Sequence, residues 1–176
     1  AVDGYRYGGK SFDRAADEAW AVEATGAPIE DLRAYRQEHA PLVGMDQSLI
    51  DFITLRTGQP HGIAELAAHR NGPAGYKPEE ILQENAALVA CLTELKNKGH
   101  SIAIVSDNPA ARRTARQVGI SPALVPDEHI FDVLRIGHFK SQQFFEEVLR
   151  ALNISPREAV AVGDSERSDI LPARAA

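Results

Sequence analysis

Two carboxylates five residues apart stand in Gly163-Asp164-Ser165-Glu166-Arg167-Ser168-Asp169, across a predicted strand-to-helix turn. There both can converge on one hard cation. Mg²⁺ takes oxygen ligands and stays partly hydrated, particularly where a phosphate supplies further oxygens, so this spacing suits metal-assisted handling of a phosphoryl group. The same residues have a plainer use, in which Asp164 and Ser165 cap the helix and Asp169 is solvated. Ser106 closes a short apolar run. Its hydroxyl and the backbone N–H groups beside it can meet a phosphoryl oxygen, with the start of the next helix adding a favourable dipole; the alternative is a turn or cap residue. Lys140 follows the turn-like Ile136-Gly137-His138-Phe139 and precedes a helical pattern. A cation there neutralises charge on a transferring phosphoryl group, whereas an isolated lysine is ordinarily a surface residue.

Positioning these residues falls to elements that become regular from Glu79. Ile81, Leu82, Leu88, Val89, Leu92 and Leu95 follow helical spacing after Pro78, and Lys96, Lys98 and Gly99 supply stop signals. Residues 102–105 read as a strand buried on both faces, ended by Ser106-Asp107-Asn108-Pro109. Residues 110–118 read as a helix closed by Gly119. Phe144, Phe145, Val148, Leu149 and Leu152 mark another starting near Ser141. Residues 159–162, Ala-Val-Ala-Val, read as a second buried strand, and residues 166–176 as helical. Strands alternating with helices predict an α/β fold with a parallel sheet whose ligands bind beyond the carboxyl ends of the strands. Ser106 and Asp164 both lie at such ends. Earlier in the chain, residues 12–24, 29–38, 47–56 and 62–69 carry helical patterns without a convincing strand, and breakers such as Gly26-Ala27-Pro28 and Gly58-Gln59-Pro60 separate them.

Composition narrows the partners. The 176 residues are 44% apolar and 25% charged, which suits one globular domain, or one domain carrying an inserted subdomain. With 19 basic against 25 acidic residues, a net charge of −6 and no basic stripe, a nucleic-acid polymer is excluded as the expected partner. Cys91 stands alone, so no internal disulfide forms, and its place in an apolar helical pattern makes it a buried core residue. No apolar run approaches the roughly 20 residues that cross a bilayer, and residues 1–10 have no signal-peptide core. A soluble, cytoplasmic protein without a membrane partner is the expectation. The six histidines show no zinc-ligand spacing. Trp20, Tyr35 and Phe52 read as packing residues, and Gly72-Pro73-Ala74-Gly75 as a hinge.

Taken together, the apolar strand with Ser106, Lys140 some 34 residues later, and the Gly-Asp-Ser-x-x-Ser-Asp turn resemble the haloacid dehalogenase superfamily of phosphohydrolases over about residues 76–176. Val105-Ser106-Asp107-Asn108 looks like its second motif, Lys140 its third, and Gly163-Asp164 through Asp169 its fourth and most specific. The resemblance implies a Rossmann-like parallel-sheet core over residues 76–176 and an inserted helical cap over residues 11–75. Residues 1–10 are then a linker or flap loop after a first strand expected before Ala1, and both ends read as cut. It also implies a Mg²⁺-dependent phosphohydrolase that handles a small phosphorylated metabolite through an aspartyl-phosphate intermediate. By position, Ser106, Asp107, Asn108 and Lys140 would bind the phosphoryl group, with Ser106 and Lys140 catalytic, and Asp164 and Asp169 would hold Mg²⁺ directly or through water. Ser141 replaces the proline that usually follows the lysine. The family's Asp-x-Asp nucleophile motif is not visible; the nearest candidate is Asp3, with Tyr5 where the second aspartate belongs, as in dehalogenating members. Two alternatives therefore stand beside the phosphohydrolase: a non-catalytic binding or scaffold relative, and carbon–halogen hydrolysis through Asp3.

Overall fold

A computed structural model describes residues 6–7, 10–72 and 82–176, which fall into two compact units, one within residues 3–77 and one within residues 78–176. The first begins with a short pairing, β1 (Arg6–Tyr7) antiparallel with β2 (Lys10–Ser11). Strands of two residues are too short for alternation to reveal. Asp3 lies outside the described residues. Four helices follow: α1 (Phe12–Thr25), α2 (Ile29–Val43), α3 (Met45–Thr57) and α4 (Ile63–Asn71). Gly58 ends α3 in the left-handed region, at φ 69°, where its N–H reaches Thr54 O at 2.9 Å. Leu32, Leu49, Ile50, Phe52, Ile53 and Leu66 form the buried centre of this unit. Trp20 stacks on His69 with ring centroids 4.7 Å apart, and Tyr35 on His39 at 3.9 Å.

One cation ties three of these helices. Arg70 of α4 donates to Asp17 of α1 at 2.8 Å and to Asp46 of α3 at 2.6 and 3.1 Å. Burial works against the charge on Arg70, but its hydrogen bonds and attraction to Asp46 and Asp17 outweigh it and hold the guanidinium above its ordinary pKa. His69 Nε2 sits 3.4 Å from Asp17 Oδ1. Desolvation pushes His69 below the usual imidazole value; Asp17 opposes the shift and Arg70 adds to it.

In the second unit, α5 (Ala86–Asn97) begins later than the spacing from Glu79 predicts, because Asn85 caps it by accepting from Leu88 N at 3.0 Å. Residues 82–85 are not helical, and Pro78 and Ile81 lie outside the described residues. No residue of α5 is fully buried. Cys91 is accordingly exposed on it rather than part of the core. β3 (Ile104–Ser106) pairs in parallel with β4 (Ile130–Asp132), Ile104 opposite Ile130 and Ser106 opposite Asp132. The pair lies between two apolar clusters. On one face Ile102, Ile104 and Ile130 pack with Leu88, Val89 and Leu92 of α5 and with Ala111 and Ala115 of α6 (Ala111–Gln117). On the other, Ala103, Val105 and Phe131 meet Ile136 of α7 (Val133–Ile136) and Phe144, Val148 and Leu152 of α8 (Gln142–Leu152). Ser141 caps α8, its hydroxyl accepting from Phe144 N at 3.2 Å.

Two strand expectations change. The first strand is displaced to residues 104–106 and is half-buried rather than covered on both faces. Residues 159–162 form no strand: no described segment pairs with them, and Val160 and Val162 are 90% and 91% exposed. The alternation of apolar residues is present there, but without a neighbour it has neither ladder bonds nor cover. The chain closes with a π-helical turn, Glu166–Ile170, running into α9 (Leu171–Ala175). No described helix is long and apolar enough to cross a membrane.

The Arg70 cluster generates two predictions. Arg70→Met strands the buried Asp17 carboxylate and should cost roughly 3–5 kcal/mol of stability, read by urea unfolding. For His69, a folded pKa below the unfolded value near ~6.5 means that the unfolded chain takes up the proton first, so its contribution is complete above that value and declines as pH falls from there towards the folded pKa. Thermal melts taken from about pH 7.5 down to about pH 5 should show this acid loss, and His69→Phe, which keeps the stack on Trp20, should reduce it.

Candidate active site

Three loops of the second unit meet around Lys140. The first leaves β3 at Ser106, where short hydrogen bonds turn the chain: Asn108 N donates to Ser106 Oγ at 3.0 Å, and Ala110 N to Asn108 Oδ1 at 2.8 Å. Such Asx- and Ser-type bonds stabilise a turn without a regular ladder. Ser106 and Asn108 thus build the loop, and the Ser106 hydroxyl keeps its own O–H as a donor. Asp107 points elsewhere, its Oδ1 accepting from the backbone N–H of Lys140 at 2.6 Å.

The second loop carries Lys140 between α7 and α8. Its ammonium forms an ion pair with Asp169 Oδ1, and both side chains are only 12% exposed. Lys140 is therefore not the surface lysine of the plainer reading. Asp169 is not a solvated one either. The partner charge and the hydrogen bonds allow a carboxylate to sit at this depth.

The third loop explains how Asp169 arrives there. Ser165 caps the turn with its hydroxyl accepting from Ser168 N at 3.2 Å, while its carbonyl accepts from Asp169 N at 2.8 Å and from Ile170 N at 3.2 Å. The second of those bonds spans five residues and widens the turn to the π form. Asp169 Oδ2 then accepts from Ser165 N at 3.0 Å. Its side chain lies so close over Gly163 that a Cβ there would fall 2.3 Å from Asp169 Cβ and 2.6 Å from Oδ2. Only glycine fits, for want of space. Asp164 lies on the same loop, exposed to solvent.

The structure thus brings Lys140, Asp169 and Asp107 together through direct bonds and leaves Ser106 and Asn108 in the turn beside Asp107. Sequence reasoning passed over Asp132, which stands opposite Ser106 at the end of β4 and caps α7 by accepting from Arg135 N at 3.0 Å. Its apolar run of two residues gave too little signal. The contact of Gly163 with Asp169 was equally hidden, although a glycine six residues before a buried aspartate is its trace.

Among the described residues no group of three or more His, Cys, Asp and Glu side chains is placed to hold a metal ion. The donor set for Mg²⁺ is the carboxylate pair of one turn, Asp164 in solvent and Asp169 already bonded at both oxygens. Mg²⁺ is commonly held by one or two carboxylates, with waters and phosphate oxygens completing its shell, and each carboxylate oxygen has a second lone pair. Asp164 and Asp169 are of the residue type that could hold such an ion.

Residues 79–176 match the family model of a haloacid dehalogenase-like hydrolase. No curated protein matches the chain.

Gly163→Ala places a methyl group against a buried carboxylate whose position is set on both oxygens. The expected cost is about 1–3 kcal/mol, seen as a lower urea midpoint, together with a displaced Lys140 ammonium resonance.

Proposed function

The chain belongs to the haloacid dehalogenase-like hydrolases, and from that premise we propose that it is a Mg²⁺-dependent phosphohydrolase acting on a small phosphorylated metabolite through an aspartyl-phosphate intermediate. The observation that supports this reading is the buried pair of Lys140 with Asp169 at the carboxyl end of the sheet unit. A lysine ammonium in a half-dry site attracts the anionic oxygens of a phosphoryl group, and that attraction grows as charge develops during transfer. Ser106 contributes a hydroxyl donor from the neighbouring turn, its oxygen already accepting from Asn108 N. In this reading Asp164 and Asp169 hold Mg²⁺, which when bound neutralises phosphoryl oxygens and orients them. The reading assigns no described residue as nucleophile: Asp169 is engaged by Lys140 and Ser165 N, and Asp107 by Lys140 N. The helical unit is taken as the cap that selects the substrate, a role in which closure excludes water from the transfer step.

The test is release of inorganic phosphate from a panel of small phosphomonoesters by the intact gene product, with Mg²⁺ and with EDTA. Mg²⁺-dependent turnover is expected, falling on the order of 10²-fold or more in Lys140→Met and in Asp164→Asn. Activity indifferent to EDTA or to Asp164→Asn overturns the metal assignment. Absence of turnover with every ester overturns the enzyme reading in favour of a non-catalytic relative.

A further inference from the structure

Lys140 reaches Asp169 from a stretch of chain that no helix holds. α7 ends at Gly137, in the left-handed region at φ 92°, and α8 starts only at Gln142. His138 gives this stretch a contact on the α8 side, its Nδ1 lying 3.1 Å from Phe139 O and its Nε2 3.5 Å from Glu147 Oε1. On the sheet side the bond at Lys140 itself comes from Asp107, 33 residues earlier in the chain. At 2.6 Å the carboxylate oxygen lies in close hydrogen-bond contact with that amide.

We infer that Asp107 is a positioning residue whose carboxylate sets the Lys140 backbone so that its ammonium meets Asp169, and that this carboxylate is not a ligand of the phosphoryl group. The chemistry of the carboxylate supports this. When ionised it is acceptor-only, so it cannot donate to a phosphoryl oxygen, and its charge repels one. As an acceptor aimed at an amide it does the reverse, holding a neighbour that attracts such an oxygen. The route is short: β3 is fixed in register with β4, Ser106 ends it, Asp107 follows, and one bond transmits that register to Lys140. The catalytic consequence rests on the proposed phosphohydrolase reading; the placement of Lys140 does not.

Two variants separate the possibilities. Asp107→Asn keeps an oxygen that can accept from Lys140 N, and Asp107→Ala removes it. In ¹H–¹⁵N spectra of the full chain, the Lys140 amide proton should lie downfield in the parent, stay displaced downfield in the Asn variant and lose that displacement in the Ala variant, while amides of α5 and α6 in the same unit stay in place as the check on folding. In phosphate release, kcat should drop on the order of 10²-fold in Asp107→Ala with KM nearly unchanged, and Asp107→Asn should recover most of it. A Lys140 amide that does not move in Asp107→Ala overturns the inference. So does a change carried by KM with no rescue by Asn, which is the pattern of a substrate ligand. If the parent protein releases no phosphate at all, the phosphohydrolase reading fails, and the amide shifts alone still decide whether Asp107 holds Lys140.

Discussion

A lysine and an aspartate that are both nearly buried impose conditions on everything around them. Removing two charges from water costs several kcal/mol per ion, and their attraction offsets this only where the geometry is close and the remaining polar atoms are bonded. In the Lys140–Asp169 pair each condition has a visible answer. Ser165 N takes the second oxygen of Asp169, the π-widened turn brings the carboxylate inward, and Gly163 leaves room for it. Lys140 is held at its backbone by Asp107. The Gly-Asp-Ser-x-x-Ser-Asp pattern is thus a packing solution as much as a set of ligands.

The sheet supplies the fixed end of this arrangement. Only two short parallel strands are present among the described residues, yet their alternate side chains enter separate apolar clusters on opposite faces. A slip of one residue would send Ile104 and Val105 to the wrong sides. The position of Ser106, and of Asp107 beyond it, therefore inherits its precision from side chains packed in those two clusters.

Features with a local cause were legible in the sequence. The helical patterns at residues 29–38 and 110–118 appear as α2 and α6 because their apolar spacing and glycine boundaries act within one or two turns, and Ser141 serves as the cap its type suggests. Ser106 and Lys140 stand out in the sequence because each lies beside a predicted element end. What was not legible depends on neighbours distant in the chain. Residues 159–162 have the composition of a buried strand, and only a partner decides whether that composition becomes one. Cys91 sits in an apolar pattern, but which side of α5 is covered is set by β3 and α6. Asp107 and Asp132 look alike as acidic residues after apolar runs; one holds Lys140 and the other caps α7, and the difference lies in which backbone N–H comes within reach.

In the helical unit, Arg70 draws its partners from α1 and α3 while itself belonging to α4. No one of these helices can separate from the others without leaving a buried charge exposed to an apolar surrounding or an acceptor unmatched. Fraying that begins in one helix is therefore penalised in all three, which favours loss of the unit in a single cooperative step over stepwise melting. One guanidinium thus adds to the apolar core a constraint that α1, α3 and α4 share.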